Sequence, residues 1–309
     1  MNESEFLNSM KTNATRKANQ FIGKFPLLGF ESDSKVIRLD ASHIIKKCAK
    51  RELENTSKRI EISNHKSFEF ILFYSYSSKT DVTYPEEIIN HFKILYVFFK
   101  LFKSGSIGIP YCHHYVKNLK DDTLSSIGFI SDTILNYYDE FPYAISKQET
   151  SQFKKMWTRY RNLISSNNNG FHTAIRRYYF SSQRFDKEDK VIDLMIAFEA
   201  LFLTDNAELS FKLSLRVAKF LEDEFDSINL FDFMKQAYTM RSKIVHGKGP
   251  KEVSNADILS SIKIKTLIKD LTEILRLSIR KYINSYSDVP YSDFIKCIDE
   301  KIIRGRKMN

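Results

Sequence analysis

From Asp186 onward, apolar residues recur at three- and four-residue spacing in one segment after another, a period that fits amphipathic helices and not strands. Asp186 with Asp189 opens the first in the manner of an N-cap and an acidic first turn. Val191, Ile192, Leu194, Met195, Phe198, Leu201 and Phe202 then form a broad apolar face, with Glu199 embedded in the same helix. A second helix, over about Leu209 to Glu222, repeats Leu209, Leu213, Val217 and Phe220, with Arg216 beside that stripe. A third starts near Asn229 or Asp232 and turns Phe233, Ala237, Met240 and Ile244 inward. The fourth follows Ser254 or Asn255 and runs to about Ser285, with Leu259, Ile262, Leu267, Leu271, Ile274, Leu275 and Tyr282 on its buried side. Four helices with short connections predict an up-and-down bundle.

The third helix runs into Arg241-Ser242-Lys243-Ile244-Val245-His246-Gly247. Residues five apart on a continuous helix point about 140° away from each other, so Arg241 and His246 share a face only if the helix ends here. Gly247, Gly249 and Pro250 supply the stop, because glycine accepts the left-handed conformation and proline cannot continue the ladder. His246 is then expected at or beside the cap, free to swing toward the face of Arg241. An arginine and a histidine near a helix C-terminus also suit the negative end of the macrodipole, which accounts for an isolated match. The surrounding segments are what set this one apart.

The order "VIDLMIAFEALFL", "LSLRVAKFL", "AYTMRSKIVHGK" resembles the Apea-like branch of the HEPN superfamily over about Phe171 to Tyr282. The resemblance implies an all-helical domain that often dimerises and that, in many members, is a metal-independent endoribonuclease. Arg241 and His246 match the superfamily's arginine and histidine, and Glu199 matches an acidic position on the first helix. Arg216 stands where this branch commonly has an arginine. The chain departs from the pattern at Ser242, where many HEPN nucleases have Asn, Asp or His; a hydroxyl still donates or accepts a hydrogen bond.

These residue types suit RNA cleavage, in which the 2′-hydroxyl is a built-in nucleophile and the protein moves protons and stabilises charge. His246 is expected to act as general base or acid, an unperturbed imidazole titrating near about pH 6.5, and Arg241 to grip the non-bridging oxygens. Glu199 would orient Arg241 or fix the tautomer of His246; equally, it would form a salt bridge that only joins two helices. Ser242, Lys243, Arg216, Arg176 and Arg177 are candidate substrate contacts, the last two because guanidinium planes and the following Tyr178 and Tyr179 stack on bases. Core packing is the plainer reading of the Tyr178 ring. One arginine and one histidine are few for acid and base work together, and a homodimer with a composite active site, which the resemblance also implies, would supply two of each. The expected products are a 2′,3′-cyclic phosphate and a 5′-hydroxyl, with no cofactor and no metal.

Composition agrees with a polyanionic partner. The 309 residues carry a formal charge of +10, and 42% hydrophobic content with 14% aromatics fills two cores. RNA is therefore the expected partner, and the resemblance suggests a prokaryotic defence or toxin-like setting, with an undetermined activator or antitoxin. Among the other basic runs, the tail Arg304-Gly305-Arg306-Lys307 reads as a disordered end.

The first half reads as a smaller α/β domain, residues 1–166, ahead of the helical domain, residues 171–309. Lys58 to Ser63, Phe68 to Tyr76, Ile107 to Tyr115 and the segment around Ile127 to Ile130 suggest strands. A helix is expected between Pro85 and Lys103, and a second after Ser146, which forms a capping box with Glu149. The polar run Ser165 to Gly170 reads as the linker. Cys112-His113-His114 lacks a second pair at zinc spacing and is taken as structural, and three distant cysteines fit reduced thiols. The longest apolar run, Ile94 to Phe99, is too short to span a bilayer, so no membrane contact and a cytoplasmic location are expected.

Overall fold

The computed structural model describes residues 19–48, 68–78, 85–116, 125–128, 142–205, 207–247 and 255–308. The chain is mainly helical with a strand-rich region ahead, and it divides into two compact units, Met1–Lys155 and Met156–Asn309.

The first unit contains strands β1 (Asn19–Leu27), β2 (Phe30–Ser32), β3 (Val36–Arg38), β4 (His43–Lys47) and β5 (Phe70–Ser78), helix α1 (Pro85–Phe102), and strands β6 (Tyr111–Val116), β7 (Ser125–Gly128) and β8 (Tyr143–Ile145). Six strands form one antiparallel sheet in the order β3-β4-β5-β1-β6-β7, and β2 pairs with β8 in parallel. Alternation decides which face is buried: Phe25 lies opposite Leu72, and Leu72 opposite Ile45, in one fully buried row. Helix α1 packs on that face, its His91 ring stacked on Tyr74 at 3.6 Å. The expected strands at Phe68 to Tyr76, Ile107 to Tyr115 and near Ile127 correspond to β5, β6 and β7 with shifted ends. The expected strand at Lys58 to Ser63 lies outside the described residues. Strands β1 to β4 and β8 were not expected, because Gly23, Pro26 and Gly29 interrupt the alternation and most of these strands are short.

Helix α2 (Thr150–Ile164) begins with the expected capping box. The Glu149 backbone N–H donates to Ser146 Oγ at 3.3 Å, and the Ser146 N–H donates to Glu149 Oε2 at 2.9 Å.

Besides the end of α2, the described residues of the second unit form α3 (Asn169–Gln183), α4 (Lys187–Phe202), α5 (Leu209–Phe220), α6 (Ser227–Val245), α7 (Asn255–Tyr286) and α8 (Tyr291–Ile303), six helices where four were expected. Helix α4 is the hub and packs against α3, α5, α6 and α7. Its N-cap is Asp186, whose carboxylate accepts from the backbone of Glu188 and Asp189. The additional α8 inserts Phe294 among Phe220, Tyr282 and Tyr286, with ring centroids 4.8 to 5.3 Å away. Helix α6 starts earlier than expected because Asp226 caps it, accepting from the Asn229 N–H at 2.9 Å.

The polar run Ser165 to Gly170 is the tight turn from α2 into α3. Asn168 Oδ1 accepts from the Phe171 N–H at 2.9 Å, and Asn168 Nδ2 donates to the Tyr282 hydroxyl at 2.8 Å. Gly170 sits so close to α4 that a Cβ would come within 2.7 Å of the Ala200 carbonyl oxygen. The basic tail is anchored rather than loose: Met308 is buried and its N–H donates to Glu222 Oε1 at 2.7 Å.

Candidate functional site

Helix α4 presents Glu199 and α6 presents Arg241. Glu199 falls four residues after buried Met195 and three before buried Phe202, and Arg241 continues the inward stripe of Met234 and Ala237 as α6 leaves the core. The two side chains approach to 3.8 Å between Arg241 Nη2 and Glu199 Oε1, an ion pair too long to be a hydrogen bond. Glu199 Oε1 and Arg241 Nε are shielded from water and have no hydrogen-bond partner. Burial raises the Glu199 carboxyl above its ordinary value, and the nearby Arg241 charge opposes this only in part. Tyr238, one turn before Arg241, completes the group, its ring centroid 5.8 Å from the guanidinium carbon. Burial raises its phenol, the Glu199 charge adds to the effect, and Arg241 opposes it. Sequence reasoning missed Tyr238, although its position three residues before Arg241 puts both on one helical face.

His246 stands at the end of α6. The helix closes at Val245 and His246 is its C-cap, with its N–H donating to the Ser242 carbonyl at 3.1 Å. The glycine stop acts one residue later, at Gly247, whose φ is +66°. His246 is exposed, and residues five apart on an ideal helix point about 140° from each other. His246 thus stands at the cap, where it was expected, with Gly247 in the left-handed conformation after it.

The other candidate contacts divide. Arg216 is buried, donating from Nε and Nη2 to the Asp299 carboxylate, each at 2.8 Å, and from Nη1 to the Phe202 carbonyl at 2.7 Å. Its guanidinium ties α5 to α4 and α8, which corrects its assignment as a substrate contact. Arg177 is likewise engaged, with Arg184, on the buried carboxylate of Asp193, at 2.7 and 2.9 Å. Both serve packing because a buried carboxylate requires compensating charge. Arg176 and Lys243 are exposed and Ser242 is half-buried. The Tyr178 ring is in the core, in accord with its plainer reading.

Among the described residues no group of three His, Cys, Asp or Glu is disposed to hold a metal ion. Cys112 is buried, which pushes its thiol up. In the first unit His43, buried on β4, is held through Nδ1 by Asp40 at 2.8 Å and meets His91 Nε2 at 3.0 Å. An apolar hollow of about 400 Å³ between α6 and α7, lined by Leu230, Phe233 and Ile274 among others, lies toward the opposite end of α6 from Arg241. Among the described residues no helix is long and apolar enough to cross a membrane.

No protein-family model, no curated protein and no solved structure matches the chain.

Proposed function

We propose that the chain is a metal-independent endoribonuclease of the HEPN type, in which Arg241 holds a phosphodiester, His246 transfers a proton to or from the 2′-hydroxyl or the departing 5′-oxygen, and Glu199 sets the orientation of Arg241. The observation that carries this reading is the state of Arg241. Its carboxylate neighbour stands 3.8 Å away, beyond hydrogen-bond distance, and the side chain remains partly exposed, so a half-buried cation retains donors for a phosphate oxygen. His246, exposed at the helix end, is open to an incoming nucleotide. The helical phase separating the two residues within one copy favours a homodimer in which Arg241 of one copy and His246 of the other serve one phosphate. The reading includes a cytoplasmic setting and a restraining partner or activating signal, because an unrestrained ribonuclease would destroy its host's RNA.

The same phase supports a second reading, a non-catalytic module in which Arg241, Lys243 and Arg176 bind RNA without cutting it. Incubating purified protein with total RNA in EDTA separates the two. The nuclease reading expects cleavage that leaves 2′,3′-cyclic phosphate ends and disappears in both Arg241→Ala and His246→Ala. Retention of RNA on a filter without cleavage supports the second reading, and cleavage that survives both substitutions refutes the assigned site.

A further inference from the structure

We propose that Tyr238 is a positioning residue of this site: its ring carries the Arg241 guanidinium, holds it off Glu199 and leaves its donors turned toward a phosphodiester. The inference rests on the reading of Arg241 as a phosphate ligand. Three observations carry it. Tyr238 and Arg241 are three apart on α6 and share a face, with the guanidinium carbon 5.8 Å from the ring centroid, inside the range of about 6 Å for a cation over an aromatic ring. The natural partner of the cation, Glu199, stays 3.8 Å away although both side chains are substantially buried. Glu199 Oε1 and Arg241 Nε are both left without partners, and such buried groups are rare unless a ligand or a strain accounts for them.

A flexible arginine beside a half-buried carboxylate would ordinarily close onto it through two parallel hydrogen bonds, since that geometry satisfies both groups. With the ring beneath the guanidinium, the cation is attracted in a second direction and the pair remains open. A nucleic-acid phosphate then meets a guanidinium that is still partly exposed and not closed onto its carboxylate, and the ligand class is an anionic phosphodiester. The hydroxyl is not needed for this role. A tyrosine phenol is neutral at pH 7, and burial first and the Glu199 charge second push this one further up, so it brings no competing negative charge to the phosphate. Loss of the ring frees Arg241 to close onto Glu199, shutting the phosphate site from within.

The test uses the full chain and a single-stranded 2′-O-methyl oligonucleotide, which binds but cannot be cleaved, with affinity read by fluorescence anisotropy at low salt. Tyr238→Leu is expected to weaken binding about tenfold, in keeping with a partly desolvated cation–π contact, while Tyr238→Phe stays within about twofold of wild type. Tyr238→Leu should cost nothing more in an Arg241→Ala background, and Glu199→Gln should restore part of the affinity lost in Tyr238→Leu by removing the carboxylate trap. Tyr238→Met is the second ring-free variant if the leucine variant does not fold. The proposal is overturned if the ring-free variants bind like wild type, if Tyr238→Phe is as weak as they are, or if their loss persists without Arg241. Binding that depends on Arg241 and Tyr238 in a wild type that never cuts RNA removes the nuclease reading and leaves this one standing. Binding indifferent to Arg241→Ala removes both.

Discussion

Arg216, Arg177 and Arg241 are three arginines of one helical unit with different fates, and the difference lies in what faces each guanidinium. Arg216 meets a carboxylate and a carbonyl at hydrogen-bond distance, whereas Arg241 meets a carboxylate just beyond it. Arg216→Ala should therefore destabilise the protein by about 2 kcal/mol in urea unfolding, the order expected for charged hydrogen bonds with a partly exposed acceptor, while folded variant retains wild-type RNA affinity. A drop in affinity without a drop in stability would return Arg216 to the substrate contacts. Glu199 makes the opposite expectation. Its folded carboxyl is raised above the ordinary value of 4.5, so the native state takes up its proton more readily than the unfolded chain does. Stability then falls as pH rises through the interval between the two values, and the ionised group is a liability at neutral pH. Glu199→Gln should raise the melting temperature at pH 7, with the gain vanishing as pH falls below the ordinary carboxylate range. A lower melting temperature at pH 7 would instead make the ion pair a structural tie.

At the scale of elements, the connection between α2 and α3 shows how a polar run becomes a packed turn. Six small or polar residues in a row look like a spacer, but Asn168 caps α3 and Gly170 lets that helix approach the α4 backbone at Ala200. Gly170→Ala places a methyl within 2.7 Å of a carbonyl oxygen and 3.1 Å of the Tyr291 ring, contacts that cannot both relax without moving a helix. The expected cost is about 2 kcal/mol, in the range for overpacking, with a normal denaturant slope. An unchanged unfolding midpoint would show that the approach is looser than described. Helix α6 was legible in composition and in its glycine stop, because period and left-handed preference are local properties. Its start was placed too late, since Asp226 and Asn229 form the cap within a stretch with little apolar period. The strands β1 to β4 were illegible for a related reason: short antiparallel strands owe their pairing to partners far along the chain, such as Phe25 opposite Leu72.

For the whole molecule, the formal charge of +10 is a property of the surface that remains once internal ion pairs are formed. It favours association with a polyanion and gives no account of where on the protein that association occurs. The composite-site proposal has its test at this scale. Mixing Arg241→Ala with His246→Ala, each inactive alone, should regenerate roughly a quarter of wild-type cleavage, because half of the dimers are mixed and one of their two sites is intact. Mixtures as inactive as their components, in a protein shown to exchange subunits, would exclude a site shared between copies. The sequence by itself determined the helical character of the second unit, the Asp186 cap, the Ser146–Glu149 capping box and the glycine that ends α6, since each depends on groups within about four residues of one another. Only the tertiary structure decided which cations are engaged and which retain free donors. Arg216 and Asp299 are 83 positions apart, and Arg241 acquires Glu199 and Tyr238 as neighbours only when α6 packs against α4. A side chain's residue type is written in the chain, whereas its electrostatic partner is selected by the packing of distant elements.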